Sequence, residues 1–398
     1  MLIVQLDIAQ TVGVAAFVLV LGEFLRRRVD LLARYFIPGP VIGGLIFSLL
    51  AFACHQAGWF TIQFDAQMRS FLLLVFFTTI GFSASLELLK KGGVAVSVFL
   101  IAAIGLVLAQ NALGVGLASA LGIHPLLGLA AGSVALTGGH GTAAAFGPLM
   151  EQAGATGALP ASIAAATWGL VAGCAIGGPL GSLLMRRHGL TGRSKSENTS
   201  TKATVHHDEG DENLGRTAMY AVLMIAFSIG IGTVLVDLLA DAGVAIPAYL
   251  GPMMVAAVIR NVLDWRGAHL PVRQLDVVGV VSLSFFLAIA LMSMKLWELA
   301  DIAGPLVIIL IGQTVLMFLY AYFITFRMVG RDYDAAVIAS GHCGFGLGAT
   351  SNAMANMQAF TSVNGPSHKA FFVIPLVGSL FIDFFNAVII TAFMGYFS

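Results

Sequence analysis

The chain has 398 residues, of which 58% are hydrophobic and 10% are charged, whereas an average soluble domain carries about 25% charged residues. With so little charge it would expose large apolar patches to water, so its composition excludes most soluble folds and indicates an integral membrane protein. The formal net charge is zero, which leaves no basic excess for binding nucleic acid.

Ten apolar segments are long enough to cross a bilayer as helices, because about 20 residues at 1.5 Å each span the hydrocarbon core. In chain order they cover about 8–25, 37–54, 70–87, 94–119, 158–185, 217–240, 247–263, 276–299, 303–327 and 370–395. The polar stretch 186–216, which contains HHDEGDEN, separates two groups of five and is predicted to be a solvated linker. The predicted fold is therefore an all-α integral membrane protein with an N-terminal repeat (1–185) and a C-terminal repeat (217–398).

The positions of the basic residues predict the orientation of these helices, because Lys and Arg are retained in cytoplasmic loops. If the N-terminus lies outside, all of the 20 Lys and Arg residues except Arg69 and Lys295 fall on the cytoplasmic side. We therefore expect both termini to be external and the central linker to be cytoplasmic.

Paired signatures indicate that the two halves are related. Gly39-Pro40 recurs as Gly251-Pro252, Glu87 as Glu298, Gln110 as Gln313 and Gly139-His140 as Gly341-His342, in the same order and at nearly constant offset. Because each half has an odd number of predicted helices, related halves would cross the membrane in opposite directions. We therefore predict two inverted five-helix repeats.

Between the fourth and fifth predicted helices of each half lies an apolar stretch that glycines interrupt. The first, at about 126–150, is centred on LTGGHGT, and the second, at about 333–357, is centred on SGHCGFGLGAT. Glycine clusters break helices and free backbone polar groups, which membranes tolerate only where protein or a wet cavity surrounds them. We therefore expect two re-entrant hairpins whose glycine tips face each other near the midplane.

Such tips suit a small anion together with a cation. Helix N-termini and glycine N–H groups bind carboxylates, whereas freed carbonyls and side-chain oxygens coordinate sodium. The side chains that supply polarity at the tips are Thr142, Ser340, Thr350, Ser351 and Asn352. The alternative is that the glycines only allow close helix packing.

Ionisable and amide side chains inside the membrane mark further candidates, since they are costly there. Asp383 lies in the middle of the last predicted helix, and Asn386 shares its face three residues on. The two could bind sodium or a substrate ammonium, or a protonated Asp383 could pair with another helix. Gln110 and Asn111, deep in the fourth predicted helix, could equally bind a ligand or pair helices.

The histidines His140 and His342 allow three interpretations: a proton site, a metal pair with Cys343, or supports for the hairpin tips. No pattern around them has zinc spacing, and the three cysteines are far apart. Membrane enzymes are disfavoured as well, because no His is followed by Glu and GFSAS at 81–85 is not a GxSxG elbow.

The longer motifs of the chain resemble those of the bacterial sodium/glutamate symporters, and the resemblance covers essentially the whole sequence except the linker from about 190 to 215. These motifs are SLSFFLAIALMSMKLWELA (282–300), YDAAVIASGHCGFGLGAT (333–350), TGGHGT (137–142), GPSH (365–368) and FIDFFNA (381–387). The resemblance implies sodium-coupled uptake of L-glutamate across the bacterial inner membrane by two inverted five-helix domains with re-entrant loops. It also implies a homodimer that works by an elevator-like movement. With the orientation predicted above, both termini would be periplasmic.

By the same resemblance, the glycine loops would form the translocation site, with Na+ as coupling ion and no other cofactor. The candidate substrate-binding residues are Thr137, Gly138, Gly139, His140, Gly141, Thr142, Ser340, Gly341, His342, Cys343, Gly344, Gly346 and Thr350. The candidate sodium-binding residues are Asp383, Asn386, Ser351 and Asn352. Coupled transport of another small dicarboxylate or amino acid such as aspartate is the alternative, and an ion channel is a less favoured one.

Overall fold

The computed structural model describes residues 2–29, 37–192, 211–241, 247–294 and 302–397. Its helices up to the linker are α1 (Ile8–Arg28), α2 (Gly39–Gln56), α3 (Ala66–Ser83), α4 (Leu86–Ala120), α5 (Pro125–Leu129), α6 (Gly139–Gln152) and α7 (Ala158–His188). Those after it are α8 (Asp211–Asp241), α9 (Leu250–Trp265), α10 (Val272–Met292), α11 (Ala303–Tyr320), α12 (Phe326–Met328), α13 (Tyr333–Leu347), α14 (Thr350–Asn364), α15 (His368–Leu380) and α16 (Ile382–Phe397).

Two π-helical turns and two short strands complete the described chain. Ala130–Val134, after α5, and Ala321–Thr325, after α11, are π-helical turns. Strands β1 (Leu2–Gln5) and β2 (Phe60–Gln63) pair in parallel. This small ribbon departs from the purely helical prediction and joins the N-terminus to the connection between α2 and α3.

Seven helices in the described ranges are long and apolar enough to cross a membrane: α1, α2, α4 from Gly93 onward, α7, α8 from Gly215 onward, α10 and α11 extended to Met328. The pair α15 and α16, bent by 44°, raises the number to eight if it forms one span. The predicted segments 70–87 and 247–263 overlap α3 and α9, which do not meet this criterion. An integral membrane fold built of helices is therefore confirmed at this coarser level.

Polar residues define several helix starts. Asp7 caps α1 and forms a capping box with Gln10, while Asp65 and Ser85 accept hydrogen bonds from the first turns of α3 and α4. Helix α4 contains a break at Gly93, where φ is 64° and ψ is −160°. Because only glycine adopts this backbone conformation readily, Gly93 separates a short initial segment from the long apolar helix.

The helices pack in two groups. The first helix group comprises α1, α2, α3, α8, α9 and α10. It contains two matched close approaches: a Cβ at Gly22 of α1 would overlap the carbonyl of Gly39 in α2, and a Cβ at Gly232 of α8 would overlap the backbone at Gly251 and Pro252 in α9. The recurring Gly-Pro pairs thus occupy equivalent packing positions in the two halves.

The second group, which we call the broken-helix group, comprises α4 to α7 and α11 to α16. It supplies most of the largest apolar cluster of the described chain, which extends into the first helix group at residues such as Phe77 and Phe286. Within it, α13 lies against a row of glycines on α7. A Cβ at Gly173 would lie 2.9 Å from the carbonyl oxygen of Cys343, and one at Gly169 would overlap the carbonyl of Leu347. Glycine is therefore required where α13 approaches α7.

The boundary between the two groups is mainly apolar. The ring of Tyr249, at the start of α9, lies 4.4 Å from Phe77 of α3 and 5.3 Å from Phe146 of α6, measured between ring centroids. At one end, Asn261 of α9 donates to the carbonyl of Ala84 and accepts from the amide of Leu86 (both 2.8 Å). These bonds hold the α3–α4 connection to the first helix group.

Some sequence predictions concern residues outside the described ranges. Glu298 and Lys295 are two of them, as is most of the linker.

Candidate functional site

The first glycine-rich stretch forms a broken helix, which we call the first broken segment (125–152). Its chain departs from helical geometry at Gly132, passes through a π-helical turn and leaves residues 135–138 outside any helix. Helix α6 then begins at Gly139, where φ is 63°. Residues 135–138 are the first break.

The second glycine-rich stretch forms a matching element, the second broken segment (333–364). Helix α13 ends at Leu347 and α14 begins at Thr350, so residues 348–349 form the second break. The two helices fold back on each other: a Cβ at Gly344 would lie 2.6 Å from the amide nitrogen of Ala353, and one at Gly341 would lie 2.9 Å from the Met357 side chain. These two glycines therefore pack α13 against α14.

The first break ends beside the second break, because Gly139, the residue that follows 135–138, lies next to Gly348. A Cβ at Gly139 would lie 3.2 Å from the carbonyl oxygen of Gly348. The helices that leave the breaks, α6 and α14, both begin without a side-chain cap, because Gly138 and Ala349 provide none. Two uncapped helix N-termini therefore start at the place where the breaks meet.

Gln110 of α4 hydrogen-bonds to both sides of this contact. Its Nε2 donates to the carbonyl of Gly346 (2.7 Å), and its Oε1 accepts from the hydroxyl of Thr137 (2.7 Å). Gln313 of α11 donates to the backbone carbonyl of Gln110 (2.7 Å). Both glutamines are fully buried. The sequence singled out Gln110 as a candidate for ligand binding or helix pairing, and Gln313 only as its repeat counterpart.

A second polar chain attaches the first broken segment to α16. The amide of Ser133 donates to Asn111 Oδ1 (2.9 Å), and its hydroxyl donates to Asn386 Oδ1 (2.7 Å). The Asn386 Nδ2 group donates to the carbonyl of Ser133 (3.2 Å). Sequence reasoning missed Ser133, whose only signal was a hydroxyl within an apolar stretch.

Two asparagines of α14 attach the second broken segment to α7. Asn352 Nδ2 donates to the carbonyl of Leu170 (2.8 Å), and Asn356 Nδ2 donates to that of Gly173 (2.9 Å). The Oδ1 of Asn352 and the hydroxyl of Ser340 are buried and have no hydrogen-bond partner in the described part of the chain. Buried polar atoms without a partner are uncommon in folded proteins, which singles out these two oxygens.

The two histidines contact hydroxyl groups of neighbouring helices. His140 Nε2 lies 3.0 Å from Thr167 Oγ1, and His342 Nδ1 lies 2.8 Å from Thr325 Oγ1. His342 also packs edge-on against Phe99, with 4.9 Å between ring centroids. Both positions fit the interpretation that the histidines support the broken segments through hydrogen bonds. Among the described residues there is no group of three His, Cys, Asp or Glu side chains that could hold a metal ion.

Asp383 lies in the first turn of α16, next to the bend that separates it from α15. The residue is half-buried, and no residue in the described ranges forms a hydrogen bond or ion pair with its side chain. Asn386, one turn further on, hydrogen-bonds to Ser133 instead. The structure thus gives these two neighbours different surroundings.

The remaining predicted residues lie in different surroundings. Thr142 and Gly138 pack against each other at the first break, whereas Gly141 faces the first helix group, because its Cβ would lie 3.1 Å from Leu283 Cδ1. Cys343 is buried against α7. The side chain of Thr350 lies 3.5 Å from Ser379 Oγ, and that of Ser351 is exposed.

Comparison with known proteins assigns the family. The family model of the sodium/glutamate symporters matches residues 4–366. The chain is 43% identical over 392 residues to the sodium/glutamate symporters of Escherichia coli (strain K12) and Shigella flexneri, covering 98% of both chains in each case. It is 42% identical over 385 residues to that of Haemophilus influenzae, covering 96% of this chain and 95% of the relative.

No solved structure matches the chain. The family assignment therefore comes from sequence similarity along nearly the whole length, and it agrees with the helical membrane fold. The chain belongs to the sodium/glutamate symporter family.

Proposed function

We propose that this chain is a secondary transporter that couples uptake of L-glutamate to sodium and binds both where the two breaks meet. The contact between the breaks, with its two uncapped helix N-termini, is the observation that carries the proposal. The relatives are named as symporters, and the chain is accordingly a transporter and not an enzyme.

The helix N-termini at the breaks suit the anionic substrate. Glutamate brings two carboxylates, and the N-termini of α6 and α14 each present free backbone N–H groups together with the positive end of a helix dipole. Thr137 and Thr142 add hydroxyls at the first break, whereas Ser340 lies further away on α13, beside Asn356. Backbone donors and hydroxyls therefore hold most of the substrate charge.

Sodium binding is assigned to oxygen ligands around the second broken segment and α16. The unpartnered Oδ1 of Asn352 is buried and can coordinate a cation, and the Asp383 carboxylate supplies charge at the bend before α16. Asn386 and Ser351 complete the candidate set, with Asn386 acting through the bonds it forms to Ser133. A net positive charge that moves inward gains about 2.3 kcal/mol per 100 mV.

The membrane arrangement that fits this function has ten spans in two inverted repeats, with both broken segments re-entrant. The matched Gly-Pro packing in α1–α2 and α8–α9 supports the repeat. The distribution of Lys and Arg supports periplasmic termini and a cytoplasmic linker in the inner membrane.

The division into two helix groups supports an elevator-like movement within a homodimer. The broken-helix group holds both breaks, and the boundary it shares with the first helix group is mainly apolar, with rings such as Phe77 and Phe146 in contact. An apolar boundary lets one group slide past the other without breaking many hydrogen bonds.

The test is uptake of labelled glutamate by purified protein in liposomes. We expect accumulation above equilibrium only with an inward sodium gradient. Aspartate and other dicarboxylates, added as competitors, report which substrate is preferred. Uptake that is unchanged when potassium replaces sodium would contradict sodium coupling, and equilibration without accumulation would indicate a channel.

A further inference from the structure

The side chain of Gln110 is placed to connect the two broken segments. Its amide donates to Gly346, in the last turn of α13, and accepts from Thr137, in the first break, and both bonds are 2.7 Å long. Gln110 has no exposed surface. One side chain on a third helix, α4, thus contacts both elements that the proposed site comprises.

The carbonyl of Gly346 accepts from Gln110 and also lies 3.4 Å from the hydroxyl of Thr137, so the three residues form one buried cluster. The last four carbonyls of a helix receive no N–H donor from within the helix, and the carbonyl of Gly346 is one of them. A Cβ at Gly346 would lie 2.5 Å from Leu106 Cδ2 and 2.8 Å from Met317 Sδ. A larger residue here would have to displace these two side chains, so glycine favours the close approach of α13 to α4 and α11.

We infer that Gln110 is a positioning residue that couples glutamate binding to sodium binding, an inference that rests on the proposed function. A primary amide is planar, so its Nε2 and Oε1 turn together. A shift of Thr137 that turns the amide also disturbs the bond to Gly346. A ligand that orders one break therefore lowers the conformational entropy that is lost when the second ligand orders the other break. Each ligand then raises the affinity for the other, which is positive coupling.

Gln313 provides a matched control. It is the repeat equivalent of Gln110 and is equally buried, but its amide donates only to the backbone carbonyl of Gln110. Its Oε1 has no partner in the described part of the chain. Loss of the Gln313 side chain therefore removes a buried hydrogen bond and leaves both Gln110 side-chain contacts in place.

The experiment measures coupling in both directions on purified full-length protein. Glutamate affinity is determined at low and saturating sodium, and sodium affinity with and without glutamate. The first ratio compares glutamate affinity at saturating and at low sodium, and the second compares sodium affinity with and without glutamate. Thermodynamic linkage requires that these two ratios be equal. In Gln110→Met, which keeps the side-chain length, we expect both ratios to fall by about tenfold, within the usual range of coupling between sites. In Gln313→Met the ratios should stay at the wild-type value.

Two further variants keep the test decisive. If Gln110→Met does not fold, Thr137→Val breaks the same contact from the other side and should lower the ratios equally. Gln110→Leu removes both the donor and the acceptor at similar volume, and it should also uncouple the ligands. Unchanged ratios in folded Gln110→Met, or equal losses in Gln313→Met, would overturn the inference. Wild-type protein without sodium-dependent glutamate binding would refute the proposed function instead.

Discussion

At the scale of single residues, Asp383 is the acid that we expect to matter most for sodium. It begins α16 beside the bend, and its carboxylate has no partner among the described residues. An unpaired acid inside a membrane is costly unless a cation or a proton neutralises it. The position therefore favours a functional role over helix pairing.

In Asp383→Asn we expect the apparent sodium affinity to fall by about tenfold or more, because a charged ligand contributes about 1.5–3 kcal/mol. Sodium dependence of glutamate uptake in liposomes provides the measurement, with protein level measured in parallel. Asp276→Asn, in the apolar helix α10 and away from the breaks, is the control and should leave sodium affinity unchanged. Wild-type sodium affinity in the Asp383→Asn variant would show that Asp383 is not part of the sodium site.

At the same scale, the amides illustrate what sequence can and cannot predict. Gln110 and Asn111 stood out as polar residues in an apolar helix, with ligand binding and helix pairing equally open. Their partners, Gly346 and Ser133, lie far away along the chain. Because no local pattern encodes such long-range pairing, only the folded chain reveals it.

At the scale of helices, the contact between α7 and α13 depends on glycine. Gly169 and Gly173 let backbone carbonyls of α13 come close enough that a single added methyl group would collide with them. Helix association in membranes relies on this close packing, because lipid offers no hydrophobic driving force. Part of the glycine excess therefore allows close helix packing, in addition to the glycines at the two breaks.

We expect Gly169→Ala to destabilise the protein by about 1–3 kcal/mol, as overpacking in a close-packed core does. Uptake should fall as well, because α13 carries the second break. Gly178→Ala on the same helix, where a Cβ would meet nothing within 4 Å, serves as the control. Thermal unfolding of detergent-purified variants measures the effect, and equal stability of the two variants would contradict this packing argument.

The sequence predicted the helices correctly where apolar runs are long, but it did not predict the irregular turns and breaks within helices. The segments 8–25, 94–119 and 303–327 match long apolar helices in the structure. The π-helical turns and the break at Gly93 were not predicted. Such irregularities depend on how neighbouring helices satisfy the freed backbone groups, and composition alone does not specify this.

At the scale of the whole molecule, the boundary between the two helix groups is where movement would have to occur. Gly141 in the broken-helix group lies beside Leu283 and Phe76 of the first helix group. Any sliding of the groups must change these neighbours. Contacts within each group, such as the bond from Ser48 to the carbonyl of Leu291, would persist.

Cross-linking tests this movement. In a protein from which Cys54, Cys174 and Cys343 have been replaced, a Gly141→Cys and Leu283→Cys pair, joined by a short bis-thiol reagent, should block uptake. A Ser48→Cys and Leu291→Cys pair, cross-linked within one group, should leave uptake intact. Full uptake with the first pair cross-linked would show that the two groups do not move apart at this position.

The sequence by itself determined that the chain is a helical membrane protein, where its apolar segments lie and which family it belongs to. These properties follow from composition, hydrophobic runs and motifs such as TGGHGT, which are local in the chain. Only the tertiary structure decided that the two breaks touch, that Gln110 bridges them and that the helices divide into two groups. These features join residues that are distant in sequence, and side-chain packing and the pairing of buried polar groups select them.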